Sequence, residues 1–158
     1  MDVTEHGDLT LQRLDQEVLA AYGWPPFGGA FDIRTEWPDA VPTRRGVYVF
    51  LDAGGEGITY PIGTSSVVYF GKAEQQRGVR GRVSYHRGRI KSGPSERYPG
   101  HPAHEWVMAR GGYCLYSIAP ERTSEGRLLH SSAGWIESEL LSAFQRLHRT
   151  RPVGNGTR

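Results

Sequence analysis

Arg82 and His86 lie four residues apart in the most basic stretch of the chain, where Lys72, Arg77, Arg80, Arg82, Arg87, Arg89 and Lys91 are opposed only by Glu74. At about 100° per residue, a helix here would carry Arg82, His86 and Arg89 in one narrow stripe, beside an apolar stripe of Val79, Val83 and Ile90. An arginine so placed can fork two phosphate oxygens and stabilise charge building on phosphorus, and a histidine one turn on can hydrogen-bond the attacking or leaving oxygen. The plainer alternative is an ordinary surface Arg/His pair on a solvated helix. Glu137 is the second residue with chemistry in its setting, because it falls inside the sector of Ile136, Leu140, Leu141, Ala143, Phe144 and Leu147. A carboxylate there protonates or finds a cation, either a divalent metal with water ligands or a core arginine. Glu139 falls outside the sector and reads as solvent-facing.

The elements that must position these residues follow from periodicity and breakers. Residues 46–51 alternate Val47, Val49 and Leu51 against Tyr48 and Phe50, and residues 67–71 repeat the pattern around Tyr69, so two strands are expected. The basic helix follows, entered through Gly78 and Gly81 and running to about residue 91. A loop is expected over 92–103, a strand over 112–118, a polar loop to about residue 131 and a long helix over 132–147. Ahead of these, residues 8–22 read as a helix stopped by Gly23-Trp24-Pro25-Pro26, and 27–45 as a wrapped loop. The Gly-rich segment 52–65 is long for a hairpin and either wanders or holds an extra short strand around 58–62. His101-Pro102-Ala103-His104-Glu105 suggests metal ligands, but zinc needs more of them, and the segment reads as a loop entering the next strand. The order predicts an α/β (α+β) domain with a small mixed, largely antiparallel sheet of three to four strands flanked by helices.

The ordered set Gly46-Val47-Tyr48, Tyr69-Phe70-Gly71-Lys72, Arg82, His86, Glu137 and Asn155 resembles the motif series of the GIY-YIG nucleases. Each piece is weak alone, and the order makes the signal specific. The resemblance spans residues 46–155 and implies a catalytic unit over 46–158 preceded by an N-terminal helix and loop over 1–45, the whole forming one compact unit. It implies an endonuclease that cuts DNA phosphodiesters with one Mg²⁺ or Mn²⁺ held by Glu137, leaving 5′-phosphate and 3′-hydroxyl ends. Tyr69 would be the general base, which at a reference pKa near ~10 needs a metal-bound water, Lys72 or Arg82 beside it. Tyr48 would hydrogen-bond the water or the phosphate, or simply pack in the sheet. Lys72, Arg77, Arg80, Arg89 and Asn155 complete the expected substrate contacts, with Asn155 tying the last loop to the site or serving as a turn residue. Two spacings depart from the family pattern. The interval from Gly71 to Arg82 is longer, which keeps Arg80 as a substitute for Arg82, and Asn155 lies further from Glu137. Tyr60-Pro61-Ile62-Gly63 could pass for the second tyrosine motif, but Pro61 lacks the N–H a central strand needs.

Composition narrows the function class. Residues 1–66 hold 4 basic against 10 acidic residues and residues 67–158 hold 15 against 7, so the positive charge is concentrated where a polyanion would bind. With 158 residues, one domain is expected. The single Cys114 reads as a small hydrophobe on a strand. No apolar run has the length of a membrane span, and Asp2, Glu5 and Asp8 stand where a secretory leader would be basic, so a cytoplasmic protein without membrane partners is expected. Two other functions fit the same pattern: a module that binds nucleic acid without cutting it, and an enzyme of this fold turned to a small phosphorylated or nucleotide-like substrate.

Overall fold

The computed structural model describes residues 8–36, 39–97, 100–120 and 132–156. Helix α1 (Leu9–Leu14) opens on Asp8, whose carboxylate accepts from Leu11 N at 2.9 Å, and continues through a wider turn (Asp15–Leu19) and a tight one (Ala20–Tyr22) to left-handed Gly23. The chain then builds strands β1 (Gly28–Asp32) and β2 (Gly46–Asp52), a small hairpin of β3 (Ile58–Thr59) and β4 (Thr64–Ser65), and β5 (Val67–Ala73). Helix α2 (Gly78–Ser92), helix α3 (Pro102–Arg110), β6 (Gly112–Ile118), helix α4 (Ala133–His148) and a 3₁₀ turn (Val153–Asn155) complete it.

Four strands form one sheet in the order β1-β6-β2-β5, every pair antiparallel. β2 lies inside the sheet and all seven of its residues are buried, so both of its faces are covered. Alternation sends Val47, Val49 and Leu51 to one face and Tyr48 with Phe50 to the other. On the first face Phe70 meets Phe27 and Phe144 at ring separations of 6.3 and 6.2 Å, bringing α4 and the segment after α1 onto the sheet. On the second, α2 lays His86 edge-on against Phe50 at 5.4 Å, and α3 packs on α2 and β2.

Several expectations need correction. The segment 27–45 holds β1, whose two glycines hide an edge strand that pairs with β6. Leu11, Leu14 and Val18 enter the same apolar cluster as Val49 and Phe144. The expected α/β (α+β) domain with a largely antiparallel sheet of three to four strands is found, with four strands and every pair antiparallel. The loop expected from 92 ends early, because His101-Pro102 starts α3: the His101 ring accepts from Ala103 N at 3.1 Å and Pro102 occupies the first turn. That helix buries only Ala103, His104 and Val107, too few apolar positions to show a period. The polar loop expected before α4 falls largely on residues 121–131, outside the described residues. The strand at 112–118 and the long helix are found as expected, the latter shifted by one residue. Segment 52–65 does carry extra strands, and it docks on the far end of α4, where His148 Nδ1 donates to Ile62 O at 2.7 Å. No helix among the described residues is long and apolar enough to cross a membrane.

Candidate active site

Tyr48 and Tyr69 reach one face because β2 and β5 pair with Tyr48 opposite Gly71 and Phe50 opposite Tyr69. The register then slips, with Leu51 opposite Val67, so Val68 is the extra residue of a bulge beside Tyr69. Gly71 is bare for a reason: a Cβ there would run into the ring of Tyr48. Gly71→Ala should therefore displace Tyr48 from its partners and lower unfolding free energy by about 1–3 kcal/mol, read as a shift of the denaturant midpoint at constant slope.

Helix α2 is fixed at its start by main-chain carbonyls from the segment before β2. Val79 N and Arg80 N donate to Arg44 O and Pro42 O at 2.9 and 3.2 Å, and Gly78, at φ 61°, approaches Arg44 too closely for any side chain. Arg80 turns the same way, with Nε on Val41 O at 2.6 Å and Nη2 on Asp39 O at 2.9 Å. The residues between Ala73 and Gly78 absorb the long interval from the tyrosine motif, and the helix delivers Arg82, not Arg80, to the site. Arg80 thus leaves the expected set of substrate contacts. Arg77 also falls outside it, exposed before the helix and lining neither of the two cavities of the site.

Helix α4 is tied to the end of β5. The Glu74 carboxylate accepts from Gly134 N at 3.0 Å, and Ser132 Oγ accepts from Trp135 N at 3.1 Å, so two first-turn donors are satisfied. One turn on, Glu137 meets Tyr48, Tyr69, Lys72, Glu74, Gln75 and Arg82 around an open cavity of about 350 Å³. Burial pushes the pKa of Glu137 above the ordinary carboxylate value, Lys72, Arg151 and Arg82 oppose the shift, and Glu74 adds to it. Lys72 Nζ stands 3.9 Å from Glu74. Among the described residues no group of three or more His, Cys, Asp or Glu forms a ready metal cage. One carboxylate with a second nearby still fits Mg²⁺ or Mn²⁺, hard ions that keep several waters and take their remaining oxygens from one or two carboxylates and a phosphate.

Asn155 takes a different place from the one expected. Its Oδ1 accepts from Phe70 N at 2.8 Å and its Nδ2 donates to Phe70 O at 2.9 Å. Phe70 lies on an edge strand, so Asn155 supplies the pairing of a missing neighbour strand and holds β5 beside Tyr69. It ties the last turn back to the site, as expected, and does so by holding the main chain in place of touching substrate. Tyr60 is elsewhere altogether: its hydroxyl donates to Val67 O at 2.7 Å and its ring packs on Phe144.

Sequence reasoning weighed His101 and His104 as metal ligands and set them aside as loop residues, and so missed their place beside the site. Tyr48, fully buried, shares a hydrogen bond of 2.7 Å with His86 Nε2, and His86 Nδ1 shares another of 2.7 Å with His104 Nε2. His104 stacks on His101 at 4.6 Å, and His101 stands edge-on to Tyr69 at 5.4 Å. The available signal was Pro102 followed by Gly111, the ordinary start and stop of a short helix, which places His104 on its inner side. These histidines line a second cavity of about 360 Å³ with Tyr85, Arg89, Glu105 and Met108, and it shares the walls Tyr69 and Arg82 with the first. Of the expected substrate contacts, Lys72 lines the first cavity and Arg89 the second.

Burial sets the protonation of this cluster. It pushes the Tyr48 hydroxyl well above its usual value, with Tyr69 adding to the shift and Arg82 opposing it. It holds His86 well below the ordinary imidazole range and His104 down to about 4, with neighbouring His and Arg charges acting in the same direction. An imidazole whose folded value lies below its unfolded one binds fewer protons folded than unfolded, so stability rises with pH through the window from about 4 to 6.5 and is lost as pH falls through it. Asp15, pushed up to about 6 by burial, acts with the opposite sign in part of that window. The comparison is therefore wild type against His104→Gln: the variant should lose on the order of 2 kcal/mol less between pH ~6.5 and ~4, measured by denaturant unfolding across pH.

No family model matches the chain, and neither does any curated protein or solved structure.

Proposed function

We propose that the protein is a metal-dependent endonuclease that hydrolyses DNA phosphodiester bonds in the manner of the GIY-YIG nucleases, acting in the cytoplasm. The observation that carries this reading is that Tyr48, Tyr69, Lys72, Arg82 and Glu137, taken from β2, β5, α2 and α4, line one cavity. Hydrolysis of a phosphodiester needs a group to take a proton from water, positive charge for the phosphoryl oxygens and help for the departing oxygen. Tyr69 faces the cavity half-buried and takes the proton role, with Lys72 and Arg82 beside it to favour a phenolate. Arg82 forks the phosphate, and Lys72 holds its charge at the rim. Glu137 would hold the divalent ion, which when bound polarises the phosphate. Tyr48, bonded to His86, lies in the wall of the same cavity. The basic face of α2 continues past Arg82 to Arg89 and suits a polyanion longer than one phosphate.

Incubation with supercoiled plasmid, linear duplex, single strands, branched DNA and RNA, with Mg²⁺ or Mn²⁺ against a chelator, tests the reading. Metal-dependent nicking that leaves 5′-phosphate ends supports it. Salt-sensitive binding without cleavage on any substrate points instead to a binding module, and turnover confined to small phosphorylated compounds points to a redirected enzyme.

A further inference from the structure

Tyr48, His86 and His104 form a hydrogen-bonded chain from β2 through α2 to α3, each link 2.7 Å long and each member buried. With both rings neutral, each carries one N–H, so the chain has only two self-consistent polarities. In one, Tyr48 O–H donates to His86 Nε2, and His86 Nδ1–H donates to His104 Nε2. In the other every bond is reversed, and the Tyr48 proton no longer has His86 as its acceptor. Burial decides between them. Tyr48 is fully buried, and among the described residues its hydroxyl has His86 Nε2 as its hydrogen-bond partner. A reversed chain would leave that O–H buried without an acceptor, which selects the first polarity.

We propose that His104 is a positioning residue: by accepting from His86 Nδ1 it fixes the His86 tautomer, commits the Tyr48 proton to His86 and so holds the Tyr48 ring in place against Phe50 and Tyr69 in the wall of the reaction cavity. The proposal rests on the reading of the Glu137 cavity as the reaction site. Without His104, His86 is free to carry its proton on Nε2 and donate to Tyr48, and the buried Tyr48 hydroxyl then loses its acceptor and shifts against Tyr69, the residue that takes the water's proton. The charged and titratable groups around His104 are Arg82, His86 and Arg89 from α2, His101 and Glu105 at the start of α3, and Tyr69 from β5. Within this group it is the His104 ring that bonds His86 Nδ1.

The experiment records long-range ¹⁵N–¹H imidazole spectra and cleavage rates for wild type, His104→Phe and His104→Gln, with thermal melts to confirm folding. Phe keeps a ring in the buried niche and removes the acceptor, whereas the Gln amide oxygen reaches the position of Nε2. Wild-type His86 is expected as the Nδ1–H tautomer, the Phe variant to move toward Nε2–H with cleavage down roughly 10–100-fold, and Gln to restore both to within about threefold. An Nε2–H tautomer in the wild type overturns the proposal. So does a Phe variant with unchanged tautomer and rate, or a folded Gln variant that behaves like Phe. If the wild type cuts no DNA, the nuclease reading fails instead, and the spectra still decide the polarity of the chain.

Discussion

Glu137→Gln is expected to reduce metal-dependent cleavage by roughly 10³-fold or more, about 4 kcal/mol of transition-state stabilisation, while leaving the fold intact. The substitution keeps shape and hydrogen-bonding capacity and removes one negative charge from a site whose burial, more than the nearby Glu74, raises the pKa of Glu137. Relief of that burial cost should hold the thermal midpoint at or slightly above the wild-type value, which separates lost chemistry from lost structure. Metal binding supplies a second readout. A carboxylate must ionise to hold a divalent ion, so Mn²⁺ affinity measured by titration calorimetry should fall as pH drops through the raised Glu137 value, and should be low and flat with pH in the variant. Full cleavage by Glu137→Gln would remove the metal from Glu137. Glu74→Gln is the comparison: its carboxylate accepts from Gly134 N and stands near both Lys72 and Glu137, so its loss should loosen the start of α4 and reduce cleavage far less than the loss of Glu137.

How much of this site can be read from the chain alone depends on whether its residues sit on elements with a clear period. Tyr48 and Tyr69 lie on alternating strands, and Arg82, His86 and Glu137 on helices with apolar stripes, so their convergence is legible from spacing and order. His104 is not, because α3 buries so few apolar side chains that no helical period emerges from nine residues. Strand β1 is hidden for a related reason. Gly28 and Gly29 have low strand propensity, and only the long-range pairing of this segment with Cys114 and Tyr116 makes a strand of them. Arg80 and Arg82 differ by two positions on one basic helix, and composition cannot say which faces the cavity. What decides is the pair of carbonyls at Asp39 and Val41, from a segment without a helix or strand period. Asn155 is marked by its motif but not in its role, since a side-chain amide that completes a sheet edge looks the same in sequence as one that touches substrate.

That distinction between neighbouring arginines gives the second large effect. Arg82→Lys should lower kcat by roughly 10²–10³-fold with KM little changed, because the charge survives while the planar fork that meets two phosphoryl oxygens at once does not. Two contacts hold Arg82 ready to meet phosphate. Its Cζ lies 5.0 Å from the ring centre of Tyr85, and its side chain forms the wall between the two cavities. A lysine there would lose the guanidinium plane that stacks on Tyr85. Arg80→Ala is expected to behave in the opposite way, losing about 1–3 kcal/mol of stability by leaving Val41 O and Asp39 O without a partner, with cleavage by the folded protein near the wild-type rate. Rates measured well below each variant's melting temperature keep the two effects apart. Should Arg80→Ala abolish cleavage while Arg82→Lys spares it, the arginine that meets phosphate is not the one that α2 turns toward Tyr69 and Glu137, and the chemistry assigned to this cavity would have to be given up.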